Sequence, residues 1–317
     1  MRPQVDPRKI DQAARLLRAG RLVAFPTETV YGLGANALDA AAVARIYAVK
    51  GRPATSPVIV HVDSIQMARS LVAVWPVSAS HLVEKFWPGP LTLVLPTSQL
   101  AIPLIVTGGL PTVGLRMPAH PIALALIRAA GVPLAAPSAN RFAQLSPTTA
   151  DHVRRSLGSD VDYILDGGPC HVGIESTVLS LTEPQPILLR PGGISRLQIE
   201  AVIGVIANAT DPGVGAHPAP GMHPRHYCPR TSLFLVKHGK LPERGQGIYL
   251  QHQHPPNRAD VTTRPMPHSA ADYAAALYHQ LHEADAGNYD WIAVELPPNT
   301  ADWEAVHDRL RRAASNS

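Results

Sequence analysis

Cysteine, aromatic residues and long apolar runs are all scarce in this sequence. The only cysteines are Cys170 and Cys228, which form no CxxC pair, so a disulfide framework is excluded and a zinc ribbon is not supported. No stretch reaches the roughly 18 uninterrupted apolar residues of a membrane span. The first residues also lack the apolar core of a signal peptide. We therefore expect a cytoplasmic protein with no membrane partner.

Several signatures of catalysis are absent as well. The sequence has no Gly-x-Ser-x-Gly elbow, no HExxH motif, no GxGxxG and no GxxxxGK loop. These absences argue against a serine nucleophile, a zinc hydrolase and the usual phosphate loops. The 15 histidines are scattered along the chain, so we assign no metal ligands among the protein side chains.

The composition predicts folded domains that favour anionic partners. Hydrophobic residues make up 45% of the 317 residues, and this length corresponds to about two domains of roughly 150 residues each. Lys and Arg number 28 against 24 Asp and Glu, a net charge of +4. This excess suits a phosphate-bearing small molecule as well as RNA, and charge alone does not choose between them.

Short apolar runs alternate with helical patterns, which is typical of an α/β domain. The predicted strands are 22–25, 58–62, 91–95, 113–116, 134–136, 163–165, 176–181 and 187–189. The predicted helices lie near 40–49, 122–130 and 197–203. We therefore predict one large domain over residues 1–206.

A linker over residues 207–231 and a small α/β domain over residues 232–317 complete the prediction. The linker is rich in Pro and Gly. Because a passive tether needs no His-Tyr pair, we expect a lid that brings His226 or Tyr227 to the ligand. The small domain has predicted strands 233–236, 247–250 and 291–294, helices near 270–283 and 301–312, and an exposed polar loop over 252–268.

Polar side chains follow the first predicted strand directly, in the segment PTETVYGLG over residues 26–34. Hydroxyls, a carboxylate and a phenol lie together there, and two glycines allow a sharp bend. Ligands of α/β sheets bind at strand ends. The alternative is an ordinary turn whose threonines cap a helix, and spacing alone leaves both interpretations open.

A second cluster, KGRP over residues 50–53, precedes Ser56 and His61. On irregular backbone, Lys50 and Arg52 can converge on one anion. The alternative is a solvated helix C-terminus that these cations stabilise through the helix dipole. Local sequence weighs the two interpretations evenly.

Four further segments place polar residues at strand ends: residues 112–118, 135–141, 173–178 and 189–193. A lone arginine at a strand end is usually a surface charge, and a Ser-x-Asn pair is usually a turn. Several such coincidences in one domain favour a site. Cations and hydroxyls without a nucleophile suit a site that positions a polyphosphate for phosphoryl or nucleotidyl transfer.

Seven blocks of the sequence together resemble the threonylcarbamoyl-AMP synthase family. They are PTETVYGLGANA, KGRPATSPVIVH, FWPGPLTLVL, LPTVGLRMP, APSANRFAQLSPTTA, DGGPCHVGIESTV and ILLRPGG. They occur in the family's order over about residues 10–205, and the linker block APGMHPRHYCP resembles that of its two-domain members. The resemblance implies a YrdC-like α/β fold, a twisted open mixed sheet with helices packed on it, followed by a smaller Rossmann-like C-terminal domain.

The resemblance also implies a reaction. L-threonine, bicarbonate and ATP, with Mg²⁺, would give threonylcarbamoyl-AMP and pyrophosphate. The product would pass to a tRNA threonylcarbamoyl transferase complex that forms N6-threonylcarbamoyladenosine at tRNA position 37. Weak binding of tRNA or double-stranded RNA is compatible with the family's basic concave face.

The resemblance assigns roles to individual residues. The implied catalytic residues around the nucleotide phosphates are Lys50, Arg52, Ser138 and Asn140. The implied threonine pocket consists of Thr29, Tyr31, His61, Arg116, Ala136 and Ser176, with Arg116 as the partner of the carboxylate. The implied ATP contacts are Arg52, Ser56, Thr112, Ser138, Ser146, Arg190 and either His226 or Tyr227.

Two other functions stay open at this point. One is a different enzyme of the same fold that transfers carbamoyl groups, although such enzymes usually carry additional modules that this sequence lacks. The other is a non-catalytic RNA-binding module. Only 5% of the residues are aromatic and no RNP-like block occurs, which argues against the common RNA readers.

Overall fold

The computed structural model describes residues 5–98, 101–209, 226–237 and 239–314. Within these ranges the chain forms a large α/β unit with a mixed sheet and a smaller α/β unit with a parallel sheet, so the predicted fold class is confirmed. Most of the predicted lid, residues 210–225, lies outside the described residues. The domain division at 206 and 231 stays a prediction, although the last described strand of the large sheet extends to Asn208.

The large unit contains these described elements. Its strands are β1 (Val23–Phe25), β2 (Gly32–Asn36), β3 (Val60–His61), β4 (Leu91–Pro96), β5 (Thr112–Arg116), β6 (Leu134–Ala135), β7 (Tyr163–Ile164), β8 (Thr177–Ser180), β9 (Ile187–Arg190) and β10 (Ala207–Asn208). Its helices are α1 (Pro7–Arg18), α2 (Ala40–Lys50), α3 (Ile65–Ser70), α4 (Val77–Phe86), α5 (Leu104–Thr107), α6 (Pro121–Ala130), α7 (Ala150–Leu157) and α8 (Arg196–Ile203).

The topology of the large sheet brings distant motifs together. In the described part of the chain its strand order is β10-β9-β8-β4-β5-β3-β6-β2-β1-β7. Strand β3 pairs with β5 in parallel and with β6 in antiparallel orientation. The chain that leaves β6 therefore lies beside the beginning of β3, where the N–H of Ala136 donates to the carbonyl of Ile59 at 3.0 Å, although these strands are far apart in sequence.

Helix α2 shows how local sequence positions Lys50, one of the predicted site residues. The Asp39 side chain accepts hydrogen bonds from the N–H groups of Ala41 and Ala42, which is a standard helix N-cap. The helix buries Val43 and Ile46 against the sheet and ends at Lys50. The last helical residue is therefore a cation held on the inner side of the unit.

The two glycines of the first motif do not produce the expected bend. Gly32 and Gly34 belong to β2, which pairs antiparallel with β1. A Cβ at Gly34 would lie 2.7 Å from Cε1 of Phe25, closer than carbon atoms can approach. Glycine is therefore required so that the ring of Phe25 can pack on the neighbouring strand.

The small unit is built on four parallel strands in the order β11-β14-β12-β13. Its described elements are β11 (Ser232–Val236), β12 (Gly247–Gln251), β13 (Thr262–Pro265), α9 (Ala270–Asp285), β14 (Trp291–Glu295), a 3₁₀ turn (Ala301–Trp303) and α10 (Glu304–Ala313). The prediction of an exposed loop over 252–268 was wrong in part, because β13 pairs with β12 and both His252 and Met266 are buried. β13 lies at the edge of the sheet, and its polar sequence is for that reason hard to distinguish from a loop.

The two units share an apolar cluster. Val30, Leu145 and Ile174 of the large unit pack in one cluster with Leu277 and Leu310 of the small unit. These three residues lie within or beside the sequence motifs of the first unit. The small unit is therefore docked directly against the motif-bearing face.

Gly173 lies at a close approach of the two units. Its φ is +76°, and a Cβ there would lie 2.4 Å from Cα of Ala275 in α9. Two features therefore require glycine at this position: the left-handed backbone and the close contact with the backbone of α9. Gly109 meets only the first, with a φ of +83° and no atom within 4 Å of its Cβ position.

We expect Gly173→Ala to lower the free energy of unfolding more than Gly109→Ala. Both changes introduce left-handed strain of about 1–2 kcal/mol. Gly173→Ala adds a steric overlap that typically costs another 1–3 kcal/mol. Urea unfolding of the two variants and the wild type measures the difference. Equal losses would mean that α9 moves aside without cost.

Candidate active site

A buried polar pocket lies where strand ends of the large sheet meet residues 226–227. Its walls include these predicted site residues: Thr29, Arg52, His61, Arg116, Ala136, Ser138, Ser176, Arg190, His226 and Tyr227. The remaining lining residues are Thr27, Val30, Gly32, Ile59, Pro137 and Glu175. Segments from all the early motifs thus converge, which favours the site interpretation of the strand-end residues over isolated turns and surface charges.

His61 and Arg116 form the centre of one end of the pocket. They are register partners on the parallel strands β3 and β5, so their side chains project from the same face of the sheet. Both are buried. Burial, together with the charge of Arg116, lowers the pKa of His61 to about 3, so the imidazole is neutral near pH 7.

Arg116 is held by partners from the first motif. Its Nη1 donates to Oγ1 of Thr29 at 2.9 Å, and its Nη2 lies 2.7 Å from Oε1 of Glu28 in a buried ion pair. Its Nε donates to the carbonyl of Gly89 at 3.2 Å. Because a guanidinium carries five N–H donors, Arg116 can keep these partners and still bind a further anion.

We call Glu28, Thr29, His61 and Arg116 the Arg116 group. It joins a carboxylate, a hydroxyl, a neutral imidazole and a guanidinium in one buried place. A ligand that carries both an ammonium and a carboxylate matches the two opposite charges of this group. An α-amino acid is such a ligand.

Lys50 lies behind the pocket wall and does not line it. Its Nζ donates to the carbonyls of Ser138 and Asn140, both at 2.6 Å. Burial, and secondarily the charge of Arg52, holds the pKa of Lys50 well below its usual value. Lys50 therefore anchors the loop after β6, which the sequence did not reveal.

Arg52 lines the pocket itself. It donates to the carbonyls of Ser56 at 3.2 Å and Pro57 at 2.8 Å, and its guanidinium lies over the ring of Phe142 at 5.8 Å. Burial lowers its pKa to about 10, and the nearby charge of Arg190 acts in the same direction. Arg52 thus stays charged at pH 7 in a region that other cations share.

Arg190, at the end of β9, also lines the pocket. Its Nε and Nη2 donate to the carbonyl of Ser176 at 3.1 and 2.8 Å, and Nη2 also donates to the Ser176 hydroxyl at 3.2 Å. That hydroxyl lies 2.8 Å from Oγ1 of Thr92. We call Lys50, Arg52 and Arg190 the Arg52 group. Burial is the main cause that lowers the pKa of His226, and the charges of all three members of this group act in the same direction.

Glu175 supplies the negative charge beside the Arg52 group. It is buried, and its oxygens accept hydrogen bonds from the Ser146 hydroxyl, the Tyr278 hydroxyl and Nε of Arg309. Burial by itself raises the pKa of this carboxyl, but the charges of Arg309 and Arg190 more than offset it and hold the pKa below its usual range. Glu175 is therefore an ionised group with fixed partners.

Tyr227 is held in a strained backbone conformation at the pocket wall. Its φ is +65°, which is a genuine outlier for a bulky residue. Strain of this kind costs on the order of 1–3 kcal/mol and persists only where the surroundings impose it. His226 stacks edge-on against the Tyr227 ring at 4.1 Å, so the described end of the predicted lid is packed into the pocket.

Buried polar atoms without partners are concentrated at this site. Among the described residues, five such atoms are Oγ of Ser56, Nδ1 of His61, Oδ1 of Asn140, Nδ1 of His226 and the hydroxyl of Tyr227. Leaving a buried polar atom unsatisfied costs about 1–3 kcal/mol. Such a cluster of atoms is typical of a site that receives a polar ligand.

Six predicted residues lie outside the pocket lining. Besides Lys50, these are Tyr31, Ser56, Thr112, Asn140 and Ser146. The Tyr31 hydroxyl donates to the carbonyl of Gly168 at 2.7 Å. Nδ2 of Asn140 donates to the carbonyls of Arg141 and Gln144. Their roles as ligand contacts stay predictions.

Glu28 and Glu175 are the site residues to which sequence reasoning assigned no role. Both occur inside the quoted motifs, at PTE and GIE. The sequence did contain a signal for these two residues. Buried cations require compensating carboxylates, and few acidic residues lie within these motifs, so Glu28 and Glu175 were the natural candidates. Which carboxylate meets which arginine depended on the folded geometry.

A group that could hold a metal ion lies elsewhere. Among the described residues it consists of His152, His279 and Glu283. Nδ1 of His152 accepts from the N–H of Thr148 at 3.2 Å, which leaves the ring proton on the other nitrogen. Glu283 also pairs with Arg155. This set does not suit Mg²⁺, which takes oxygen ligands.

The carboxylates of the pocket region do not suit Mg²⁺ either. Glu28 and Glu175 are each engaged by an arginine. A magnesium ion at this site would therefore have to take most of its ligands from a bound phosphate chain. The predicted Mg²⁺ stays a proposal.

Two family models match consecutive parts of the chain. One, described as "Telomere recombination" (Sua5_yciO_yrdC), matches residues 15–192. The other, described as "Threonylcarbamoyl-AMP synthase, C-terminal domain", matches residues 194–315. Together they span both structural units.

Individual relatives and structures agree with these models. The threonylcarbamoyl-AMP synthase of Bacillus subtilis (strain 168) is 45% identical, over 98% of this chain and 93% of its own. The structure of P. abyssi Sua5 complexed with L-threonine matches with a TM-score of 0.90 and 40% identity, over 98% of this chain and 96% of its own. A P. abyssi Sua5 variant with a His and the next Tyr replaced by Ala matches with a TM-score of 0.89 and 39% identity, over 99% and 95%.

We expect His61 to make the stability of the protein depend on pH between about 6.5 and 3. Its folded pKa of about 3 lies below the unfolded value of about 6.5. The stabilising contribution is therefore complete above pH 6.5 and is lost as the pH falls, at about 1.4 kcal/mol per pH unit. His61→Gln should lose roughly 2 kcal/mol less than the wild type between pH 6.5 and 5.

Urea unfolding at several pH values measures this difference. His81→Gln, a change of an exposed histidine, is the matched control and should follow the wild-type curve. Parallel curves for His61→Gln and the wild type would contradict a neutral buried His61.

Proposed function

The chain belongs to the threonylcarbamoyl-AMP synthase family and is an enzyme, and we propose that the pocket described above makes threonylcarbamoyl-AMP and pyrophosphate from L-threonine, bicarbonate and ATP. The single observation that carries this proposal is the division of the pocket into two charged ends. The Arg116 group has both charge signs. The Arg52 group is cationic.

The Arg116 group suits L-threonine. Its guanidinium would bind the α-carboxylate, while Glu28 lies 2.7 Å from that guanidinium and can accept a hydrogen bond from the amine. The P. abyssi relative was solved with L-threonine bound, which supports this subsite. Ala136 adds a small apolar wall beside Gly32, fitting a side chain with one methyl group.

The Arg52 group suits the phosphates of ATP. Arg52 and Arg190 are buried and both line the pocket, and charge-assisted bonds to phosphate are among the strongest hydrogen bonds in proteins. The loop that Lys50 anchors presents Ser138 to the pocket. These residues would hold the triphosphate and stabilise the charge that develops as pyrophosphate leaves.

The reaction needs alignment more than acid–base chemistry. The amine of threonine adds to the carbon of bicarbonate and water is lost, which forms a carbamate. A carbamate oxygen then attacks the α-phosphorus of ATP, and the bond to the β-phosphate oxygen breaks to release pyrophosphate. Because residues of the Arg116 group and of the Arg52 group line the same cavity, the pocket can hold both substrates side by side and supply the required proximity.

The described His226 and Tyr227 are proposed to contact the nucleotide. Their dipeptide is the only His-Tyr pair in the sequence, and both side chains have a buried polar atom without a partner among the described residues. A nucleotide base or ribose would satisfy these atoms.

The remaining partners follow from the reaction. Mg²⁺ would enter with the phosphates of ATP, and a tRNA threonylcarbamoyl transferase complex would consume the mixed anhydride product for modification of tRNA position 37. We propose the cytoplasm as the place of action, where such a complex meets tRNA. No helix in the described ranges is long and apolar enough to span a membrane.

The proposed function is tested by measuring pyrophosphate release from ATP with the full chain. Release should require both L-threonine and bicarbonate, and threonylcarbamoyl-AMP should appear in equal amount. Release with ATP alone, or none under any condition, would refute the proposal. Release with carbamoyl phosphate in place of threonine and bicarbonate would instead favour a carbamoyl-transferring enzyme of the same fold.

We expect substitutions at the two ends of the pocket to affect different substrates. Arg52→Ala removes a cation from the phosphate end and should lower kcat/KM by roughly 30-fold or more, since bonds to charged groups contribute about 1.5–3 kcal/mol. Arg116→Ala should mainly raise the KM for threonine. Initial rates at varied threonine and ATP concentrations separate the two effects.

Arg128→Ala, a change of an exposed arginine on α6, is the control and should behave as the wild type. Wild-type turnover of Arg52→Ala would remove Arg52 from the site. A changed ATP dependence with normal threonine dependence in Arg116→Ala would mean that the two ends are assigned in reverse.

A further inference from the structure

One side chain of the small unit reaches three different segments of the pocket wall. Nε of Arg309, on α10, donates to Oε2 of Glu175 at 2.7 Å. Its Nη1 donates to the carbonyl of Pro191 at 3.0 Å. Its guanidinium lies over the ring of Tyr227, 5.2 Å from the centroid. Glu175 and Tyr227 line the pocket, and Pro191 directly follows the lining residue Arg190.

Arg309 is buried to a degree that is rare for arginine. Its side chain is 0% exposed, and Asp308 pairs with it at 2.7 Å as a second carboxylate. Burying a charge costs several kcal/mol unless good geometry repays it. If this position only held the two domains together, an apolar residue could occupy it, as apolar residues do in the surrounding cluster.

The contacts of Arg309 use properties that lysine does not share. A planar guanidinium can serve a carboxylate, a carbonyl and an aromatic face at once, whereas an ammonium is a point charge on a flexible stem. Tyr278 of α9 donates to the same carboxylate of Glu175 at 3.0 Å. Two helices of the small unit thus fix one pocket carboxylate.

These contacts fall on the phosphate end of the pocket. Arg190 precedes Pro191 in sequence, and Glu175 precedes Ser176, whose carbonyl accepts from Arg190. Arg116 is anchored separately, by Thr29, Glu28 and Gly89. A loss of the Arg309 contacts should therefore disturb one end of the pocket and spare the other.

We propose that Arg309 is a positioning residue through which the small domain sets the geometry of the ATP subsite. This inference rests on the proposed function, because that function assigns ATP to the Arg52 group. Arg309 does not touch the substrate. It fixes Glu175, the chain at Pro191 and the ring of Tyr227, and thereby fixes the direction in which Arg190 presents its donors.

Arg309→Met in the full chain tests the proposal. The KM for ATP should rise about tenfold or more, while the KM for threonine should stay within about threefold of the wild type. A purely structural role predicts a different result, since a smaller folded fraction lowers the maximal rate and leaves both KM values unchanged. Arg309→Lys keeps the positive charge beside Glu175 but loses the planar set of guanidinium donors. It should therefore raise the KM for ATP less than Arg309→Met does.

Arg311→Met is the matched control, because it removes an exposed cation from the same helix, and it should leave both KM values unchanged. Should Arg309→Met fail to fold, Arg309→Lys carries the test, with an ATP KM above that of the wild type expected. An unchanged ATP KM in the folded variants, or equal increases for ATP and threonine, would overturn the proposal.

Calorimetric titration with ATP alone separates this proposal from the proposed function. If the wild type releases no pyrophosphate but binds ATP, the proposed function fails and the affinities of the variants still test Arg309. Weaker ATP binding by Arg309→Met than by Arg311→Met supports the positioning role. Equal affinities of these two variants refute it.

Discussion

The burial of positive charge is the constraint on which the rest of this structure depends. Five cations, Lys50, Arg52, Arg116, Arg190 and Arg309, are buried at or beside one pocket. The buried carboxylates that accompany them are Glu28, Glu175 and Asp308. Backbone carbonyls of irregular segments serve Lys50 and Arg52, and the excess positive charge is left facing the pocket. Because an uncompensated buried charge is costly, a polyanion recovers that cost when it binds.

This constraint also explains which parts of the site could be predicted from sequence. Polar residues at the borders of apolar strands meet at one place because the sheet order brings β3, β5, β6 and the chain around β8 and β9 together. The sheet is mixed, so these residues come from strand beginnings, such as Ser176 before β8, as well as from strand ends, and the strand-end rule for parallel sheets anticipates only the second kind. The carboxylate partners were not predictable in the same way. Glu175 and Arg309 are separated by 134 residues, and no local pattern connects them. The anchoring role of Lys50 was not predictable for a related reason. Its partners are backbone carbonyls, which every residue has, so no side-chain pattern identifies them.

The small domain takes its importance from the same requirement. It packs against the motif-bearing face through an apolar cluster that includes Val30, Leu145 and Ile174. Beside that cluster it places Arg309 against the pocket carboxylate of Glu175. The strained backbone of Tyr227 lies between the two domains and under the guanidinium of Arg309. Strain persists only where packing imposes it, so the shape of this wall depends on both domains. Sequence patterns divided the chain into domains but carried no information on this dependence.

Four titratable groups that line the pocket, His61, Glu175, His226 and Tyr227, are poorly suited to proton transfer at neutral pH. The pKa of His61 is lowered to about 3 by burial and by Arg116, and burial also keeps the pKa of His226 well below its usual value. Burial raises the pKa of Tyr227, while the charges of Arg309 and Arg190 keep Glu175 ionised despite its burial. An effective general base has a pKa near the working pH, and none of these groups does. For the proposed reaction, these groups can contribute proximity and fixed charge, because the carbamate, the triphosphate and the departing pyrophosphate would all be anions. A site that binds its substrates by their charges needs accurate placement of those charges, and the buried ion pairs around Glu28 and Glu175 provide it.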